Sequence, residues 1–305
     1  MNTAPRLGLY GAGLAVLFVG AFAAAGAVVP QSTVDSWTQE ADGGHEMGAE
    51  DSAGHGDEHP AETASAVRGV SSAQDGYLLA PVAAPDQVGD RGTLSFQVRD
   101  AHGEALTSFA TEHDKELHLI VVRSDGSRFR HVHPTMAADG TWSLPWEWRA
   151  AGTYRVYADF VPADDPEGQP VTLTRTVEVT GAFAPVVATP TDTAEVDGFT
   201  VALTGDLEVG ESSQLTLTVT QDGEPVTTLE PYLGAFGHLV ALREGDLAFL
   251  HVHPEGDEPA AGETSGPEIS FMAQAPTPGR YLLYLDFQVD GQVHSAPFVV
   301  DTHTH

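Results

Sequence analysis

The sequence predicts an all-β chain: two tandem immunoglobulin-like antiparallel β-sandwiches after an N-terminal hydrophobic helix and a disordered stalk. Three observations predict it. From Asp75 onward, short runs rich in β-branched and aromatic residues alternate with Gly, Pro and Asp turns. The pattern of those runs occurs twice. No segment beyond the N-terminus shows the 3.6-residue apolar period of an amphipathic helix.

Taken in order, residues 1–30 form a signal anchor or signal peptide. Residues 7–29 are 23 uncharged residues after Arg6. That is longer than the apolar core of an ordinary signal peptide, about 7–15 residues, and near the roughly 20 needed to span a bilayer. Ala25-Gly26-Ala27 offers a cleavage site as the alternative. In either case the remainder is exported, with the amino terminus inside. Localisation is therefore the cell membrane, single-pass, or a secreted or periplasmic form if the segment is cleaved. Residues 31–73 read as a disordered acidic stalk with nine acids and one base. His45, Met47, His55 and His59 lie within it, a tract able to gather metal ions loosely.

The first module spans 74–181. Its candidate strands are 77–82, 93–98, 117–123, 128–133, 141–144, 154–160 and 171–179. Seven short strands in about a hundred residues suit an immunoglobulin sandwich. A linker, 182–193, leads to the second module, 194–302. There Asp197-Gly198-Phe199 matches Asp75-Gly76-Tyr77, and the strand Tyr281–Phe287 matches Tyr154–Phe160. Such self-similarity marks a duplicated module.

Composition excludes several functions. Net charge is −31, with 44 acids against 13 bases. A nucleic-acid partner needs a basic footprint, so none is expected. The chain has no cysteine, which removes disulfides, thiolate metal sites and cysteine nucleophiles.

The repeat centres on a seventeen-residue stretch, HLIVVRSDGSRFRHVHP (118–134) and HLVALREGDLAFLHVHP (238–254), identical at eight positions. Each copy reads as a β-hairpin. Asp125-Gly126 suits a two-residue type I′ turn and Gly245-Asp246 a type II′ turn. The register then places His118 opposite His133 and His238 opposite His253, with Cβ atoms about 4.5–5.5 Å apart. His131 and His251 share those faces, because side chains alternate along a strand. The apolar residues on the same face suggest that it is the core face, with imidazoles at its rim. Three converging imidazoles gain little from one another unless a cation sits among them. The candidate metal ligands are therefore His118, His131 and His133 in one site and His238, His251 and His253 in another. Asp159 and Asp286 recur at matched positions and are weaker candidates, since alternation turns them away from the core. His113, His294, His303 and His305 read as surface residues, and Trp142, Trp146 and Trp148 as local packing.

At these stretches the chain resembles bacterial envelope proteins with tandem immunoglobulin-like, His-rich domains, loosely akin to YtkA-like and CopC-like copper-handling domains. The resemblance implies an exported sandwich and copper as the first metal to test. The residues themselves leave copper(II) and zinc open, since imidazole suits both. The expected function is a membrane-tethered metal-binding protein for storage, delivery or tolerance. The alternative is a non-catalytic envelope interaction module with a pH-sensitive histidine cluster. An enzyme is not expected: no nucleophile–base pairing is visible, and a cupin-type glutamate after His-x-His is missing. No protein partner is indicated.

Overall fold

The computed structural model describes residues 68–303, apart from 165–167, 169, 251 and 261. The expected N-terminal helix, the stalk up to residue 67, His251 and His305 lie outside the described residues. Among those described, the regular structure is all strand, and no helix is long and apolar enough to cross a membrane.

The first module contains β1 (Ala73–Gln74), β2 (Tyr77–Leu79), β3 (Arg91–Arg99), β4 (Phe109–Ala110), β5 (His118–Arg123), β6 (Arg130–Val132), β7 (Thr135–Met136), β8 (Thr141–Glu147), β9 (Gly152–Pro162) and β10 (Val171–Val179). One sheet has the order β1-β2-β3-β8-β7, the other β10-β9-β5-β6 with β4 beside β9. The second module contains β11 (Thr193–Val196), β12 (Phe199–Thr204), β13 (Ser212–Gln221), β14 (Glu224–Pro225), β15 (Gly237–Arg243), β16 (Phe249–Leu250), β17 (Val252–Pro254), β18 (Glu268–Gln274), β19 (Arg280–Val289) and β20 (Gln292–Asp301). Its sheets run β11-β12-β13-β18-β17, with β14 beside β13, and β16-β15-β19-β20. All named strand pairs are antiparallel.

Each sandwich closes over the alternate apolar residues of its strands. Leu94, Phe96, Leu119, Val121, Val156 and Phe160 fill the first core; Leu215, Leu217, Ala241, Leu283 and Phe287 fill the second. Tyr154 donates to Ala150 O and Tyr281 to Thr277 O, both at 2.9 Å. This link from the start of a strand to the backbone four residues upstream is the tyrosine corner of immunoglobulin-type sandwiches. The three module-one tryptophans are buried in or against this core, as the sequence indicates.

A third apolar cluster joins the two sandwiches. Ile120, Val122 and Tyr157 of the first pack with Val240, Leu242, Leu282 and Tyr284 of the second. Phe129 stacks on Tyr284 with centroids 4.0 Å apart. Tyr157 donates to Leu247 O at 2.6 Å, and reciprocally Tyr284 donates to Gly126 O. The modules thus meet through matched surfaces, as in a two-fold dimer folded into one chain. Gly126, at φ +79°, lets the hairpin tip approach Leu282, which a Cβ there would strike. The expectation that the histidine face is each module's core face is corrected here. It is the outer face of the sandwich, buried against the other module.

Segments read as connectors are also built in. The stalk was expected to run to residue 73, but Arg68 bridges Phe249, Thr174 N donates to Ser71 O, and residues 73–74 form β1. The linker is tied at Val186 N by Asp125 and at Ala188 O by Arg280. His303 pairs with Glu208 in a β-bridge, so the chain is held through that residue. His294, expected at the surface, is 6% exposed and donates to Asp197 at 2.9 Å beneath Phe199.

Candidate metal centre at the module junction

The first hairpin has the expected ladder by a different route. Leu119 pairs with Val132, Ile120 with His131 and Val121 with Arg130. Continued one step, this register brings His118 to His133. The turn, however, is not type I′: Gly126 N bonds to Arg123 O and Arg123 N to Ser127 O, enclosing three residues, 124–126. Pairing 123 with 127 but 121 with 130 requires one inserted residue, and Arg128 has φ +61° there. Such a bulge shifts register by one. In the second hairpin, Arg243 N bonds to Ala248 O around the four residues 244–247, with Leu247 at φ +54°. The ladder above it pairs Ala241 with Leu250 and Leu242 with Phe249.

Past that point the copies diverge. In the second module, Val252–Pro254 leaves β15 and pairs with β18 of the opposite sheet, His253 lying across from Met272. His253 is exposed. The expected pair His238–His253 is therefore not formed, and the second triad is not assembled among the described residues.

The first triad is assembled. His131 Nε2 lies 3.0 Å from His118 Nδ1, and His133 Nε2 lies 3.2 Å from the same atom. One ligand nitrogen from each of the three falls within 4.8 Å of the others, a grouping that can hold a metal ion. His118 Nε2 is 3.2 Å from Glu112 O, which only accepts, so this nitrogen carries the proton. His131 Nδ1 is 2.9 Å from Asp286 Oδ2 and donates to it. Both side chains of that pair are almost wholly enclosed, 3% and 2% exposed. With His131 neutral, Nδ1 of His118 and Nε2 of His131 are both lone-pair nitrogens that face each other; with His131 protonated, its Nε2–H donates to His118 Nδ1.

Asp286 comes from the second module. It sits opposite His238 in the β15–β19 ladder, as Asp159 sits opposite His118 in β5–β9. Because the histidine face is the outer face, the aspartates share it, and the expectation that they point elsewhere is corrected. Asp286 also accepts from Ser295 on β20. Asp159 accepts from Thr172 at 2.6 Å, and desolvation pushes its carboxyl up to about 6. Desolvation, reinforced by the neighbouring imidazoles, lowers His118 to about 2 and His133 to about 3. Desolvation likewise lowers His238 to about 4.

His238 thus joins the cluster of the first module instead of founding a second. Its ring centroid is 6.3 Å from those of His118 and His131, and its Nε2 donates to Leu233 O at 2.9 Å. Sequence reasoning missed two members of this neighbourhood, His113 and Tyr232, and the direction in which a third, Asp286, acts. His113 lies 5.0 Å from His238, Tyr232 packs 6.0 Å from it, and Asp286 acts on His131 rather than within its own module. A signal was available: β5 is buried at all six positions. A strand whose two faces are both apolar is covered on both sides.

No curated protein matches the chain. Among solved structures it is similar to invasin, a bacterial integrin-binding protein, at 16% identity over 75% of this chain and 39% of that one, with a TM-score of 0.23. A Salmonella alpha-2-macroglobulin mutant is 14% identical over 78% of this chain and 15% of that one, at 0.25. Domains 4 and 5 of the S-layer protein SbsC are 11% identical over 69% and 82%, at 0.22. The chain therefore spans less than half the length of the first two. One family model matches, and it matches twice, over residues 72–181 and 194–304. The chain belongs to the family described as a domain of unknown function, DUF8832, of which it carries two copies in tandem.

Proposed function

We propose that the protein binds one divalent transition-metal ion, copper(II) or zinc, at the junction of its two modules. His118 Nδ1, His131 Nε2 and His133 Nε2 are the ligands. The observation that carries the proposal is the pair of lone-pair nitrogens 3.0 Å apart, each fixed by its ring's other partner. Two such lone pairs repel unless a proton or a metal ion lies between them, and the third imidazole, His133, at 3.2 Å from the same His118 nitrogen, favours the metal. A tetrahedral zinc with bonds of about 2.0–2.1 Å sets its ligand nitrogens roughly 3.3 Å apart, close to the spacing seen. Asp286 would serve as a positioning residue and not a ligand, since a carboxylate on the far nitrogen fixes tautomer and ring orientation. The role is holding a metal for storage, delivery or tolerance, not catalysis. The apolar run at 7–29 supports an exported, membrane-tethered setting.

A second reading rests on the burial of His118 and His238 between the modules. Without metal, protonating them would separate the sandwiches, giving a pH-sensitive envelope module. Titration calorimetry of the full chain with copper(II) and zinc at neutral pH separates the two. Saturable binding of one equivalent, with a Kd below about 0.1 mM (roughly −5.5 kcal/mol), supports the metal site. No binding of either ion leaves the acid-sensitive junction as the function.

A further inference from the structure

A second feature of the junction adjoins the histidine cluster but is lined by none of its imidazoles. A cavity of about 390 Å³ opens beside the first hairpin, and three arginines, Arg128, Arg130 and Arg149, line it. Its walls include Trp146 and Trp148 of the first module and Tyr284 of the second. Arg130 lies over the Trp146 ring, 3.7 Å from its centroid. The volume is within the range of small-molecule sites, about 300–1,000 Å³.

The charges here run against the rest of the molecule. With 44 acids and 13 bases, the molecule as a whole is strongly acidic. Arg91, Arg123, Arg243 and Arg280 each hold a carboxylate. Among the described residues, Arg128, Arg130 and Arg149 hold none. The same is true of Arg99, Lys115, Arg155 and Arg175, but Arg128, Arg130 and Arg149 line one cavity. The one carboxylate lining the cavity, Glu147, is taken by Arg91 at 2.9 Å. Arg130 and Arg149 are close enough for burial and mutual repulsion to lower Arg130 below its usual range. Arg128 stands in a left-handed conformation that a non-glycine residue adopts at a cost, here on the wall of the cavity. Arg128 and Arg149 are exposed and Arg130 is half-buried over Trp146, so an anion entering the cavity meets all three guanidinium groups.

We propose that this cavity binds a small organic anion, a carboxylate on a flat apolar body. Guanidinium groups pair with carboxylates in a planar, two-pronged fashion and stack on flat aromatic groups. The second module has no counterpart. At the positions matching Trp146, Trp148 and Arg149 it carries Ala273, Ala275 and Pro276.

The test is calorimetry on the full chain in neutral detergent, treated with chelator, using 1-naphthoate and its uncharged analogue 1-naphthamide with micelle blanks. Naphthoate is expected to bind at least about ten-fold tighter, the effect of one charge-assisted pairing. The double variant Arg130→Gln/Arg149→Gln should erase that preference and leave naphthamide unchanged. A His133→Ala background should keep it. Equal binding of the two probes to the unaltered protein overturns the proposal without recourse to any variant. So does a preference that survives the double variant, or one that disappears with His133→Ala, which would place the carboxylate at the histidines.

Discussion

The two copies of the histidine hairpin share eight of seventeen residues, yet among the described residues only the first gathers its imidazoles. The divergence lies in when the second strand changes sheets. In both modules the departing strand pairs with the same partner in equivalent register: Thr135 with Ser143 in the first, Val252 with Ala273 in the second. In the second module that pairing begins three residues earlier relative to the repeat. The position opposite His253 is Met272; its equivalent in the first module is Pro145. Proline has no N–H to give a ladder. Next to it Trp146 is covered by the Arg130 guanidinium. The first module thus denies the strand its early crossing, and His131 and His133 stay beside His118. The lesson is that a repeated motif sets local register, while the neighbouring strand decides whether the motif becomes a site.

The largest effect should come from the matched pair His133→Ala and His253→Ala. The first is expected to weaken metal binding at least about 100-fold, by removing one of three ligands. The second should leave calorimetric affinity within about two-fold, because His253 lies on the opposite sheet. Equal losses would restore two equivalent sites and break the comparison.

Asp286→Asn comes next. Loss of a carboxylate behind a ligating histidine costs about 10–100-fold in affinity. Asp159→Asn, its counterpart bonded to Thr172, should change affinity by under about three-fold. Competition against a metallochromic indicator would measure both.

Acid stability of the metal-free protein sharpens the picture. His118 and His238 are lowered to about 2 and 4, so the unfolded chain takes up protons below about 6.5 that the folded one refuses. Their contribution is intact above that pH and is lost as pH falls. Asp159, raised to about 6, acts oppositely: its folded form gains a proton before the unfolded one does. Between pH 6 and 4, His118, His238 and also His133, which is lowered to about 3, lose while one group gains. The net loss is at most two groups' worth, up to about 2.7 kcal/mol per pH unit. Urea midpoints at pH 7, 6, 5 and 4 should fall accordingly, and flat midpoints would show that the histidines are not held neutral.

The smallest effect is expected from Pro145→Met, which gives the first module the donor found in the second. Metal affinity should drop by about three- to ten-fold as His133 is drawn toward β8, roughly 1 kcal/mol. No change would mean that Trp146 and Arg130 alone hold the strand.

Much of this was legible in the residues. The all-β class, most strand positions and the ladder register next to each hairpin turn follow from apolar alternation and turn residues; the pairing of His238 with His253 does not. The turn types did not follow. Asp125-Gly126 and Gly245-Asp246 each admit several loops, and the bulge at Arg128 restored the register that a three-residue loop would have shifted. The recurrence of Asp159 and Asp286 was visible, but their direction depended on which face of the sheet was covered.

By itself, then, the sequence determined what is local: two antiparallel sandwiches, an acidic surface without thiols, and a histidine spacing that converges on one strand face. Those follow from periodicity and pair geometry within about twenty residues. Tertiary structure alone decided that the histidine faces turn toward each other, that Asp286 orients His131 from 155 residues away, and that one cluster forms instead of two among the described residues. Both faces of β5 and β19 are apolar enough to bury. Only the docking of one module on the other establishes what covers the second face.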